Sequence, residues 1–367
     1  MKILVTGHNG YIGSVLTGLL LAAGHDVVGV DSEIFADCTF GNATASPVPC
    51  IRADIRELER CHLVGFDAIA HLAGVCNDPL GDLLPETTFA INEQATMRLA
   101  TLARSAGIPR FVFSSTCSVY GAATEDWVDE KSRVNPVTPY GVSKYKAERG
   151  LLTLAHDTFS PVLLRSATAY GFSPRIRFDL VLNNLMAYAF TSKRVFLKSD
   201  GMAWRPIVHI ADISRAFLAA IEAPRASVHC QVLNVGATSE NYRVHEIAET
   251  VQRTVPDSSI QYAEGAGADK RSYRVDCSKI ARVLPAFKPQ WTASSGAAEL
   301  FARYTEHGLA AGDFEGPRFQ RLGYLKSLLE RGLLDNSLRW IPGARTTATA
   351  AAAANLAPLA AVDAAAS

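Results

Sequence analysis

The chain has 367 residues, 48% of them apolar and 20% charged, and a formal net charge of zero. That length allows a large core and two domains, and the composition is ordinary for a globular enzyme. The lack of a basic excess argues against nucleic-acid or membrane-surface binding, and no apolar run reaches the ~18 residues of a membrane span.

The first residues read MKILVTGHNGYIGS. They form a strand-like run rather than a charged leader, so no signal peptide is expected. Lys2 to Thr6 suits one buried strand. Gly7, Gly10 and Gly13 follow at three-residue spacing, and Ile12, Leu16, Leu19 and Leu20 recur on one face of a helix. A strand, a glycine turn and a helix opening are what a dinucleotide diphosphate needs. The glycines permit the tight turn and the close approach, and the helix N-terminus offers free N–H groups to the anion. Asp26 to Asp31 (DVVGVD) reads as the next strand. Asp31 at its end can accept from both adenine-ribose hydroxyls and would repel a 2′-phosphate, which favours NAD over NADP.

Further along, Cys50 to Ala53 reads as a third strand that ends at Asp54, a candidate for the adenine amino group or a helix cap. Phe66 to Leu72 is a fourth strand, followed by the small pair Ala73-Gly74, where a cofactor can pass close to backbone. Pro85 to Ala106 has a helical pattern that includes Asn92, Ala95, Leu99 and Leu102. Arg110 to Ser114 is a fifth strand that runs into SSTCSVYG. Alternating strands and helices predict an α/β fold, a doubly wound parallel sheet with ligands at the carboxyl ends of its strands.

In YGVSK, Tyr140 and Lys144 stand four residues apart, on one face of a helix that a proline can start. An ammonium beside a phenol lowers its pKa, and the phenolate can then take a proton from an alcohol as hydride leaves for a nicotinamide. Thr116, at the neighbouring strand end, could hold the same oxygen.

With these residues in view, the chain resembles an extended short-chain dehydrogenase/reductase of the nucleotide-sugar epimerase/dehydratase family. The matching stretches are TGHNGYIG, Asp31, ADIR, HLAG, Asn92, SSTCSVYG, YGVSK, LLRSATAYG, WRPIVHIADI and LNVG, within Met1 to Leu284. The resemblance implies a Rossmann-type domain, mainly residues 1–170, that holds NAD. The contacts would come from Gly7, Gly10, Tyr11, Ile12, Gly13, Asp31, Asp54, Ile55, Leu72, Ala73, Gly74, Asn92 and Ser114. It implies Thr116, Tyr140 and Lys144 as the catalytic set, with Lys144 also on the nicotinamide ribose. A smaller, mixed α/β C-terminal domain, mainly residues 171–340, would bind a nucleotide-diphosphate sugar through Asn184, Phe196, Arg205 and Arg271. Some of its chain would cross back to the sheet. Thr168 stands where many relatives carry Asn. The family also suggests a homodimer joined through the helices that hold Asn92 and Tyr140.

Dehydratases of the family carry Asp-Glu directly after the catalytic Thr, whereas this chain has Cys117-Ser118, and Ser118 cannot replace a carboxylate base. The expected activity is therefore epimerisation through a transient 4-keto sugar. A 4-dehydrogenase/ketoreductase or a dehydratase is the alternative, and a non-catalytic NAD sensor a more remote one. Cys117 is a candidate acid/base, with space-filling as its competing role. His209 reads as a satisfied core histidine. The seven scattered cysteines form no CxxC pair, so reduced thiols in a cytoplasmic protein fit better than disulfides or a metal site. Leu322, Leu325, Leu328 and Leu329 mark an amphipathic helix expected to pack on the second domain. From Ile341 the chain is alanine-rich and reads as a flexible tail.

Overall fold

The computed structural model describes residues 1–41, 48–76, 78–121, 125–265, 267 and 272–344. Its centre is a seven-stranded sheet of β1 (Lys2–Thr6), β2 (Asp26–Asp31), β3 (Cys50–Arg52), β4 (Ala68–His71), β5 (Arg110–Thr116), β6 (Ser160–Ser166) and β7 (Val232–Val235). The strands run parallel in the order β7-β6-β5-β4-β1-β2-β3. The order reverses beside β1, the point at which such a sheet opens a crevice for a ligand. The inner strands β1, β4, β5 and β6 are almost wholly buried because both faces are covered, whereas β3 is a short, exposed edge. One face packs on Leu99, Ala103, Ala147 and Leu151 of the helices Thr96–Ser105 and Pro139–Thr153. The other packs on Leu16, Leu20, Ile213 and Phe217 of the helices Gly13–Ala22 and Ile210–Glu222.

A second core surrounds the helices Val181–Ser192, Val244–Thr254 and Ala293–His307. Short strands flank it: Trp204–His209 lies between Thr168–Tyr170 and Asn241–Arg243, and Arg194–Leu197 pairs with Ser259–Tyr262.

Two sequence expectations change. Pro85 to Ala106 is not one regular helix: Ala90–Ala95 is a π-helical turn between the α-helices Pro85–Phe89 and Thr96–Ser105. Such turns arise where a side chain must be re-aimed, and here the side chain is Asn92. The helix Arg321–Glu330 does not pack on the second domain. Its Leu325 and Leu328 bury against Cys38, Val75 and Leu80 from the first half of the chain. Arg318 reaches the Asp37 carbonyl, and Trp340 donates to the Ser32 carbonyl at 2.8 Å. The alanine-rich stretch from 345 lies outside the described residues.

A buried ion pair ties the sheet to the helix that carries YGVSK. Glu148 receives Arg165 Nη2 at 2.7 Å and Nε at 2.9 Å, and both side chains are almost fully enclosed. Ser115 of β5 donates to Glu148, and Arg165 of β6 also donates to Tyr120, which bonds Asn234 of β7. Removing one partner would leave the other charge buried and unpaired. Glu148→Ala is therefore expected to lower the unfolding free energy by about 3–5 kcal/mol. The paired change Glu148→Met/Arg165→Met should lose less than the single one. Urea unfolding of the two proteins measures both, and equal losses would contradict the ion-pair account.

Candidate active site

A cavity of about 210 Å³ covers the carboxyl ends of β1, β2 and β4. Gly7, Gly10 to Gly13, Asp31, Asp54, Ile55 and Leu72 to Gly74 line it, as the sequence predicts. Gly7 has φ +71°, and a Cβ on Gly13 would lie 2.1 Å from the Gly7 carbonyl oxygen, so the turn closes only with glycine at both positions. No acidic residue stands in the first turn of Gly13–Ala22, so nothing opposes the positive end of that helix. Asp31 accepts from the backbone N–H groups of Asn9 (3.1 Å) and Glu33 (2.7 Å), while burial pushes its carboxyl up. The glycine cradle, the open helix end and the acid at the end of β2 fit a dinucleotide.

Asp54 and Asn92, both expected near the cofactor, are held by hydrogen bonds within the protein. Asp54 caps the short helix Ile55–Glu57 and pairs with the Arg56 guanidinium, although it still lines the cavity. Asn92 is corrected from contact to brace. Its amide accepts from Val75 N–H (2.8 Å) and donates to the Val75 carbonyl (2.9 Å) and to Ser143 (3.1 Å). It is fully buried and fixes the loop that follows Gly74.

A larger cavity, about 860 Å³, meets the first at Ile12, Leu72, Cys76, Ala169 and Arg177, each of which lines both. Ser114, Thr116, Tyr140 and Lys144 line it. Thr138 caps the helix by accepting from Gly141 N–H, and Pro139 starts it, which aims Tyr140 and Lys144 at the end of β5. Lys144 Nζ donates to the Ser114 carbonyl at 2.9 Å and lies 4.7 Å from the centroid of the Phe113 ring. Burial pushes its amine down to about 8, against weaker upward pulls from Cys76 and Glu148. Tyr140 hydrogen-bonds Thr116. Burial, then Cys76, pushes its phenol up, while Thr116 and Arg177 pull it down.

Cys117 also lines the large cavity. Its thiol donates to the Arg165 carbonyl at 3.2 Å, is almost fully enclosed, and is raised by burial and then by Cys277. It packs among Val119, Tyr120, Val128 and Val275, which suits the space-filling role better than that of an acid or base. His209 is the satisfied histidine expected: it caps Ile210–Glu222 and bonds Glu299 at 2.8 Å.

The far end of the large cavity holds the substrate candidates. Asn184 donates to the Phe178 carbonyl at 2.8 Å, and Phe196 sits 5.8 Å from Tyr188, which meets Phe314 edge-on at 4.8 Å. Arg205 lines the wall and donates to the Trp204 carbonyl. Thr168 lines it too. Arg271 lies outside the described residues.

The sequence reading missed the junction of the two cavities. Arg177 forms a two-pronged pair with Asp179 (3.0 and 2.6 Å), and its Nη1 reaches Cys76 Sγ at 3.3 Å. The segment PRIRFD has no periodicity that would single them out. Tyr11 also reaches further than expected. Its hydroxyl donates to the Gly171 carbonyl at 2.7 Å and accepts from Asn183, joining the glycine turn to the second half.

Comparison with known proteins agrees with this geometry. The model of the NAD dependent epimerase/dehydratase family matches residues 3–236. A UDP-glucose 4-epimerase of Azospirillum brasilense is 30% identical over 74% of this chain and 81% of its own. A dTDP-glucose 4,6-dehydratase of Streptomyces griseus is 27% identical over 83% of this chain and 94% of its own. The crystal structure of a UDP-glucuronic acid 4-epimerase from Bacillus cereus with UDP-glucuronic acid and NAD superposes with TM-score 0.70. It is 25% identical and covers 83% of this chain and 99% of its own. With the turn, the acid and the Tyr–Lys helix in place, the chain belongs to the NAD-dependent epimerase/dehydratase family.

Proposed function

We propose that this enzyme is an NAD-dependent nucleotide-sugar 4-epimerase that works through a transient 4-keto sugar. The observation that carries the reading is the position of Thr116, Tyr140 and Lys144 on the wall of the large cavity, which opens onto the cofactor cavity. Bound NAD supplies the hydride acceptor and donor. Thr116 holds the sugar C4 oxygen, and Tyr140 takes the proton of that hydroxyl as hydride leaves C4; the ketone then turns over, hydride returns to its other face, and Tyr140 gives the proton back to the same oxygen. The Lys144 cation favours the phenolate. Arg205 suits the substrate diphosphate, with Asn184 and Phe196 toward the nucleoside.

The relatives named as 4-epimerases support this outcome. So does the disposition of carboxylates. Cys117 and Ser118 stand where an eliminating enzyme needs acids. Asp78 accepts from Thr138 at 2.7 Å and Asp179 is held by Arg177, so both acids already have partners. Incubation with UDP-, dTDP-, GDP- and CDP-hexoses should give, for one of them, a product of unchanged mass with inverted C4 by NMR. A product lighter by one water would replace this reading with elimination.

Tyr140→Phe should lower kcat by about 10²–10⁴-fold and leave NAD affinity unchanged by calorimetry. Full turnover by that variant would refute its role as proton carrier. The amine of Lys144 yields a pH prediction. It loses its proton near 8 in the fold, whereas an unfolded lysine keeps it to about 10.4. Across that window the unfolded chain binds the extra proton, so stability rises with pH. The cofactor-free protein should therefore gain unfolding free energy relative to Lys144→Met on passing from about pH 8 to about pH 10. A pH-independent difference between the two denaturation curves would contradict the buried amine.

A further inference from the structure

Arg321 opens the helix Arg321–Glu330 and is 3% exposed. Its guanidinium lies over the Phe35 ring, 4.5 Å from the centroid, and Nη2 donates to the Arg175 carbonyl at 2.9 Å. Nη1 is buried and has no hydrogen-bond partner among the described residues. A charged N–H enclosed without an acceptor is costly, so such a group calls for one, and an anion satisfies it best. Arg321 lines the smaller cavity together with Gly7, Gly10, Gly13 and Arg177.

Neighbouring charges point the same way. Arg175 is buried beside it and spends its guanidinium on Asn9, Ala36 and Thr39, none of them acidic side chains. Arg177 is balanced by Asp179. Asp37 takes a hydrogen bond from Tyr324. Arg321 thus lines the cavity as a cation with no carboxylate hydrogen-bonded to it among the described residues, and the end of the Gly13–Ala22 helix adds positive potential. Residue 321 also lies beyond the 3–236 segment that the family model matches, so that match says nothing about it.

We propose that Arg321 Nη1 is a ligand for the diphosphate of the bound dinucleotide, opposite the glycine turn. The C-terminal helix is thereby part of the cofactor site. The guanidinium supplies a charge-assisted hydrogen bond from one side while the backbone N–H groups of the turn supply theirs from the other.

Isothermal titration of Arg321→Met and Arg321→Lys with NAD, ADP-ribose and adenosine tests this. For Arg321→Met the dissociation constants of NAD and ADP-ribose should rise about ten- to a hundredfold, and that of adenosine, which has no phosphate, should not change. Arg321→Lys should fall between wild type and Met. Melting of the cofactor-free Met variant should be unchanged or higher, because a buried unpaired charge is gone. Unchanged NAD affinity in the Met variant would overturn the proposal. An equal loss for all three ligands, or a lowered melting temperature with a loss for adenosine, would assign Arg321 a structural role and overturn it equally.

Discussion

The site depends on the buried pairing of Glu148 with Arg165. Glu148 sits one helical turn after Lys144, on the side of the helix that faces the sheet. Arg165 anchors it to β6 and, through Tyr120 and Asn234, to β7. A charge pair in a dry interior tolerates little displacement, because both desolvation costs remain while the attraction falls. The helix therefore cannot slide or rotate on β5. Tyr140 keeps its hydrogen bond to Thr116, and Lys144 its bond to the Ser114 carbonyl. Two bonds to one strand end and one ion pair a turn further on fix Tyr140 and Lys144 in three dimensions.

Much of this was legible in the sequence, where the signal was local. β1 and β2 begin and end as their apolar runs do, because strand edges next to glycine or an acid are set by neighbouring residues. Pro139 and Thr138 start the helix that carries Tyr140 and Lys144 as their chemistry dictates. β5 runs on to Thr116, two residues past the apolar run, since Ser115 and Thr116 are polar yet paired with β6. What escaped was tertiary. The leucine stripe of Arg321–Glu330 states that one face is buried but not against what. The π-helical turn at Asn92 leaves no compositional trace. Cys117 stands next to a candidate catalytic residue in sequence, yet the direction of its thiol is set by the Arg165 carbonyl, a partner 48 residues away.

The junction of the two cavities combines opposite charges in a small space. Arg177 and Asp179 neutralise one another beside Tyr140, while Cys76 meets the remaining guanidinium edge. The Arg177–Asp179 pair is thus polar and adds no net charge of its own. Such a pair can orient sugar hydroxyls by hydrogen bonds without imposing a strong field on the phenol. Two further cations line the cavities, Arg205 the larger one and Arg321 the smaller.

The contacts of the C-terminal helix bear on how the molecule acquires its form. Trp340 closes on Ser32, 308 positions earlier in the chain, and Arg318 on Asp37, 281 positions earlier. Contacts of such separation contribute little to early collapse and are costly to form before the segments between them are ordered. Because Arg321, Leu325 and Leu338 line the smaller cavity, that cavity is complete only when the end of the chain has folded back onto Ser32 and Asp37. A chain made from its N-terminus presents all seven strands of the large sheet before it presents these residues.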